Sequence, residues 1–249
     1  MTDFLFQKTN GLTDKQTHYC PGCTHGIIHR LVAEVLEDLN VVEETIAIAS
    51  VGCSVLSYEY FNTDSIQASH GRAPAVATGI KRVFPNQIVF TYQGDGDLAS
   101  IGLAEIIAAA GRGENITVIF VNNAIYGMTG GQMAPTSLVG QKTSTSPLGR
   151  NPLLAGMPLK MCEIMSQIPS VEYVSRVSTH SPLAIRQAKV AIKKAFENQR
   201  ANRGFSFVEI LSSCNIGWGL PPVEALKWIE SRMISYYPLG VYKDGKDLE

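Results

Sequence analysis

Along residues 24–39 the apolar side chains Ile27, Ile28, Leu31, Val32, Val35, Leu36 and Leu39 recur at three- and four-residue steps, the spacing of one face of an amphipathic helix. The run "TIAIASV" at 45–51 has no such period. Short, apolar and rich in β-formers, it predicts a buried strand that feeds a loop at Gly52. A helix over 73–84 is stopped by Pro85 and precedes a strand over 87–93 that ends abruptly in "GDGD". A second helix over 98–113, closed by glycines, leads into the strand "ITVIFVN" at 116–122. The period then fails over 123–158, where Gly, Thr, Ser and Pro dominate; an aperiodic stretch of this length inside a compact domain predicts a working loop rather than a linker. Beyond it come a short helix over 159–167, a strand over 172–177, a helix over 182–198, the strand "FSFVEILS" and a final helix from Pro222. Nearly all-apolar strands alternating with helices predict a mainly parallel sheet covered on both faces. The expected fold class is α/β, a three-layer αβα domain occupying the whole of 1–249, with no internal repeat and no low-complexity tail.

Composition changes this picture little. Apolar residues make up 45% and charged residues 17%, the balance of a globular protein with a buried core. The formal net charge is −1 and no basic run occurs, so neither nucleic acid nor an anionic membrane surface is an expected partner. No apolar run spans a bilayer, and the opening "MTDFLFQKTNGLTDKQ" lacks the charged-then-apolar order of a secretory signal. Five cysteines in such a chain argue against structural disulfides and for metal or redox chemistry in a cytoplasmic protein.

The cysteines themselves admit three chemistries. "THYCPGCTHG" sets Cys20 and Cys23 at the amino end of the first helix, as a redox dithiol, half a zinc site or half an iron–sulfur ligand set. The polar "NGLTDKQTH" before them is not the buried strand that precedes a thioredoxin-type dithiol. Cys53 and Cys214 each follow a predicted strand, where parallel sheets gather ligands. Four thiolates suit structural zinc or a cubane cluster, and the residues alone leave both open. Cys162, in "LKMCEIM", reads as a small core residue, and His25 and His29 are assigned solvent or packing roles.

A second constellation follows the next two strands. Gly94 and Gly96 permit close backbone approach to a ligand, Asp95 is a hard oxygen donor, and Asn122 and Asn123 add oxygens at the neighbouring strand end. The spacing GDG-x25-NN falls within the range of thiamine-diphosphate enzymes, and the stretch resembles their diphosphate-binding domain. Neither GxxxxGK(S/T) nor a GxGxxG after a strand is present. With "YCPGCTHG", "SVGCSVL", "SHGRAPAVATGIK", "YQGDGDLASIG" and "NNAIYGMTGGQMAPT" in that order, the chain resembles the β subunit of the 2-oxoacid:ferredoxin oxidoreductases from Thr17 to about Pro147, with a further match at Cys214.

The resemblance implies a thiamine-diphosphate-binding fold and a set of site residues. Mg²⁺ would be held by the Asp95 and Asn123 side chains and the Ile125 carbonyl. Gly96, Asp97, Gly127 and Met128 would meet the diphosphate or its surroundings, and Val51, Gly52, Cys53, Ser54 and His70 would lie against the thiamine. Cys20, Cys23, Cys53 and Cys214 would hold a 4Fe-4S cluster. The implied reaction is oxidative decarboxylation of a 2-oxoacid, with the acyl group passed to coenzyme A and electrons to ferredoxin. The activating glutamate would come from an α subunit, beside a γ and a ferredoxin-like δ subunit, leaving this chain inactive alone. "SVLSYEYFNTD" and the long loop point to 3-methyl-2-oxobutanoate as substrate, then 2-oxoglutarate, with Arg72 and Lys142 as candidate clamps for a second carboxylate. The rival readings are a non-catalytic electron-transfer subunit and a zinc-stabilised thiamine-dependent decarboxylase.

Overall fold

The computed structural model describes residues 7–245, so the first six residues of the opening "MTDFLFQKTNGLTDKQ" lie outside it. Seven strands form one sheet: β1 (Thr45–Ala49), β2 (Asp64–Gln67), β3 (Ile88–Gly94), β4 (Thr117–Asn122), β5 (Val171–Ser178), β6 (Phe205–Leu211) and β7 (Gly240–Asp244). Their order is β2-β1-β3-β4-β6-β5-β7, parallel throughout except for β7, which runs antiparallel to β5. Every residue of β4, β5 and β6 is buried, so these strands show no inside–outside alternation of apolar and polar positions.

Helices cover both faces. On one, α1 (His25–Asp38) packs with a long helix (Pro182–Arg200), and Val32, Val35, Ile192 and Phe196 close over Phe90, Tyr92, Ile119 and Val208. On the other, α2 (Ser57–Tyr60) precedes α3 (Ala73–Val83) and α4 (Leu103–Gly111); Ala77, Ile106 and Ala109 cover Ile48, Val89, Val118 and Phe120. The long loop contains only the one-turn α5 (Pro152–Ala155), capped by Asn151, before α6 (Met161–Ser166); the long helix is then α7. A third apolar cluster joins Leu211 and Ala124 to Ile229, Met233 and Tyr237, beyond α8 (Asn215–Trp218) and α9 (Pro222–Trp228). No helix among the described residues is long and apolar enough to cross a membrane.

Two strands differ from expectation. β2 is polar and mostly exposed and β7 is mostly exposed, as edge strands are, so neither carries the apolar signature of the interior. The helix expected over 98–113 is interrupted: Asp97–Ile101 forms a π-helical turn before α4 begins. Gly102, at the end of that turn, makes a close crossing: a Cβ there would stand 2.7 Å from the Gly71 carbonyl oxygen. The final helix also breaks, through a π-helical turn (Ile229–Met233), into a short α10 (Ile234–Tyr236).

Candidate cofactor and cluster site

The carboxyl ends of β1, β3, β4 and β6 lie side by side in the sheet, and each delivers one piece of the site. β1 runs into Ser50–Ser54, β3 into the GDGD turn, β4 into Asn123 and β6 into Ser212, Ser213 and Cys214. Two cavities result, and they share a wall.

The first, about 130 Å³, is lined by Asp95, Gly96 and Asp97, by Asn123 and Ile125, and by Val51, Gly52, Cys53, His70, Gly127 and Met128. Ser54 stands apart from it: the side chain is buried and its hydroxyl donates to the Ser50 carbonyl at 3.4 Å. Asp95 is 2% exposed, accepts from the Thr136 hydroxyl and the Gly96 N–H, and burial pushes its carboxyl from 3.8 up to about 7. A buried carboxylate beside the Asn123 amide oxygen and the Ile125 backbone is a hard oxygen set that suits Mg²⁺. Gly96 is obligatory here, because a Cβ would strike the Tyr126 ring at 2.2 Å. Asp97 has a different part. Its carboxylate accepts from Ser50 Oγ and the Gly71 N–H, each at 2.7 Å, and from Gln93 Nε2 and His70 Nδ1, so it fixes the wall and the His70 ring.

The loop after β4 is held in a strained conformation. Ala124 has φ 56, left-handed for a residue with a Cβ. Its N–H donates to Asn122 Oδ1 (3.0 Å) and its carbonyl accepts from Ser137 Oγ (2.6 Å) and Gln141 Nε2 (2.8 Å). Asn122 is in turn anchored by Nδ2 on Glu209 Oε1 at 2.7 Å, and the Trp218 indole N–H donates to the Asn123 carbonyl at 3.0 Å. Farther along the loop, the Arg150 guanidinium donates to the carbonyls of Ala134, Pro135 and Ser137 on either side of Thr136.

The second cavity, about 210 Å³, is lined by all four of Cys20, Cys23, Cys53 and Cys214. Among the described residues no three His, Cys, Asp or Glu side chains are grouped so as to hold a metal ion as they stand. Four cysteines lining one cavity are a soft donor set that suits a multi-atom cluster as well as a tetrahedral zinc. Burial and the neighbouring thiols together raise Cys23, Cys53 and Cys214 to about 12, so the protein alone does not favour thiolates there and a bound metal group would. Gly127 and Gly217 admit the sulfurs; a Cβ at either would stand 3.0 and 2.8 Å from Cys214 Sγ. The CPGC turn is tied to the end of β6 by hydroxyls. Thr24 Oγ1 bonds Ser212 Oγ (2.7 Å) and accepts from the Ser213 N–H (3.0 Å) and Thr179 Oγ1 (2.9 Å), while Ser213 Oγ donates to the Gly22 carbonyl.

Cys162 is sealed in the core. His25 and His29 are also buried, which leaves packing of the two expected roles, solvent or packing: His25 Nδ1 pairs with Tyr92 OH at 2.8 Å and His29 Nε2 with Tyr19 OH at 2.7 Å. Burial lowers His25 from 6.5 to about 3 and His29 well below 6.5. Arg72 is paired with Glu105 at 2.6 Å and Lys142 is exposed; neither lines the two cavities. Sequence reasoning missed Ser50, Gln93 and Thr136. The signal available was a polar residue closing an apolar strand, as in "TIAIAS" and "IVFTYQ".

A parallel sheet whose strand ends carry a buried metal-type carboxylate and a glycine-bounded cradle defines a thiamine-diphosphate-binding domain. The family model for the C-terminal TPP-binding domain of thiamine pyrophosphate enzymes matches residues 50–210. The chain is 47% identical over 240 residues to ketoisovalerate oxidoreductase subunit VorA of Methanothermobacter thermautotrophicus, covering 96% of this chain and 50% of that one. It is 35% identical over 229 residues to 2-oxoglutarate synthase subunit KorB of Methanocaldococcus jannaschii, covering 89% of this chain and 80% of KorB. A solved 2-oxoglutarate:ferredoxin oxidoreductase from Magnetococcus marinus shares the fold, with TM-score 0.76, 24% identity, and coverage of 95% of this chain and 84% of that one. The chain belongs to the thiamine-diphosphate-binding subunits of the 2-oxoacid:ferredoxin oxidoreductases. It spans about half the length of the VorA relatives it matches.

Proposed function

We propose that this chain is the cofactor-binding subunit of an enzyme that oxidatively decarboxylates a branched 2-oxoacid, 3-methyl-2-oxobutanoate, to acyl-CoA and CO₂, passing electrons through a 4Fe-4S cluster to ferredoxin. The observation that carries this is the shared wall: Cys53, Gly127, Met128, Asn123 and His25 line both the oxygen-donor cavity and the four-cysteine cavity. One loop thus touches both redox partners.

In this reading Asp95, Asn123 and the Ile125 carbonyl hold Mg²⁺, Gly96 and Gly127 leave room for the diphosphate, and Val51, Gly52 and His70 border the thiamine. The thiamine supplies the electron sink for decarboxylation. The chain's own work is to bind and orient. Asp97 fixes His70 and the Gly71 backbone, and Thr136 holds the Asp95 carboxyl in place. Cys20, Cys23, Cys53 and Cys214 ligate the cluster. The names of the relatives as subunits support partner chains; the resemblance in turn implies an α subunit with the activating carboxylate together with γ and δ subunits, and the four open thiols suit the reducing cytoplasm. Greater identity to a ketoisovalerate subunit than to a 2-oxoglutarate subunit supports the branched substrate.

The test is to purify the native complex anaerobically and assay a 2-oxoacid panel with coenzyme A and a viologen dye. The expected result is dye reduction dependent on both substrates, with the highest kcat/KM for 3-methyl-2-oxobutanoate. Preference for 2-oxoglutarate would overturn the substrate; a colourless, iron-free complex that releases CO₂ without reducing dye would overturn the redox reading in favour of a zinc-stabilised decarboxylase.

A further inference from the structure

Of the histidines near the cysteines, His25 has the unusual position. Its ring is 1% exposed yet lines both cavities, stacks on Tyr19 at 4.7 Å and 9°, and is pinned through Nδ1 to the Tyr92 hydroxyl at 2.8 Å. Among the described residues Tyr92 OH has no other hydrogen-bond partner and Nε2 of His25 has none, which leaves Nε2 as the polar atom the ring offers to the cavities it lines. His29, one turn along α1, is equally buried but lines neither cavity, and Tyr19 OH occupies its Nε2. His18 lines the four-cysteine cavity but is exposed, so water competes for it.

A neutral imidazole carries one N–H, and the partner of one nitrogen decides where it sits. A lone pair at Nε2 would face the thiol sulfurs and repel any thiolate among them, whereas an N–H would attract it. The sulfur-rich surroundings therefore favour the tautomer in which Tyr92 OH donates to Nδ1 and Nε2 keeps its hydrogen.

We propose that His25 donates a hydrogen bond from Nε2 to the sulfur group held by Cys20, Cys23, Cys53 and Cys214, and thereby raises the potential at which that group accepts an electron. The inference rests on the cluster reading above. One-electron reduction adds one negative charge to the group, and an N–H donor stabilises the reduced form more than the oxidised one. His25 is thus a positioning and tuning residue, built into the wall between the two cavities.

The experiment uses the native complex with His25→Phe, His25→Gln and His29→Phe. Each is titrated with dithionite while iron content, visible absorption and EPR are followed. His25→Phe keeps an aromatic face on Tyr19 but has no N–H. The reduction equilibrium of its cluster is expected to weaken about tenfold, about 59 mV more negative for one electron. Gln retains a donor and should lose less, and His29→Phe should match the unaltered protein. Equal potentials in the unaltered and His25→Phe complexes at equal iron content would overturn the inference, as would the same shift in His29→Phe. Should His25→Phe hold no iron, pulsed EPR of the reduced, unaltered complex grown on ¹⁵N-histidine decides: a histidine nitrogen coupling that disappears in His25→Gln supports it, and no coupling overturns it. An unaltered complex without iron would instead sink the cluster assignment itself, before His25 is at issue.

Discussion

Asp95 and Asp97 lie two residues apart, are both buried, and keep different company. Asp97 accepts from Ser50, Gln93, His70 and the Gly71 N–H, whereas Asp95 accepts from Thr136 and from backbone N–H groups, its neighbour's first. The two asparagine substitutions should therefore fail in different ways. Asp97→Asn leaves one oxygen to accept where two stood and turns an amide towards buried donors, costing about 1–3 kcal/mol. The expected reading is a lower urea midpoint at unchanged slope. Asp95→Asn removes a carboxyl whose folded value, about 7, lies above the ordinary 3.8. A raised acid costs stability increasingly as pH climbs from about 4 to about 7, and the cost is complete above that. Without Mg²⁺ at pH 8, Asp95→Asn should accordingly be at least as stable as the unaltered protein, yet calorimetry should show no Mg²⁺-dependent binding of thiamine diphosphate. A variant that is less stable at pH 8, or that still binds with Mg²⁺, would count against Asp95 as the metal carboxylate.

At the scale of elements, α1 shows what the sequence carries and what it hides. Its boundaries follow from the apolar period, and Ile28, Leu31, Val32, Val35 and Leu36 are all buried as the period requires. Its polar contents were illegible, since two histidines on a helix read alike whether they face water or lie beneath an aromatic cluster. Here His29 stacks on Phe61 at 4.4 Å, a ring carried by the residue that ends α2. The same limit hid β2 and β7, whose exposed residues follow no apolar pattern, while β3, β4 and β6 were plain because both their faces are covered. Burial of α1's histidines has a measurable cost in acid. His29 titrates well below 6.5 in the folded state, so below pH 6.5 the unfolded chain takes up a proton that the folded one refuses. Stability is full above 6.5 and falls as pH drops, by at most about 1.4 kcal/mol per pH unit for each such histidine. Urea unfolding at pH 6.5 and pH 5 should show a smaller loss for His29→Phe than for the unaltered protein. Identical losses would mean that His29 is not buried neutral.

Across the whole molecule, one polar thread runs from the sheet edge to the metal loop. Arg176 of β5 is fully buried and donates to Pro238 and Tyr242 at the β7 side, to Glu163 of α6, and through Nε to Glu209 of β6 at 2.8 Å. Glu209 accepts from Asn122, whose Oδ1 holds the left-handed Ala124 between two residues assigned to Mg²⁺. A buried ion pair of this kind is weak evidence for net stability, but removing one member is costly because the other is left uncompensated. Its value here is geometric: a strained backbone persists only where its surroundings over-determine it. Arg176→Leu should lower stability by about 3–5 kcal/mol. Glu209→Gln is the sharper probe, since it keeps an oxygen for Asn122 while weakening the pair. The loop carries its own reporter, because Trp218 donates to the Asn123 carbonyl and is one of only two tryptophans in the chain. Titrating the folded Glu209→Gln complex with Mg²⁺ at saturating thiamine diphosphate, read by tryptophan fluorescence, should show Mg²⁺ affinity weakened about tenfold, equivalent to about 1.4 kcal/mol of lost loop positioning. Unchanged affinity, with the fluorescence change still abolished by Trp218→Phe, would show that the thread supports the fold without setting the metal loop.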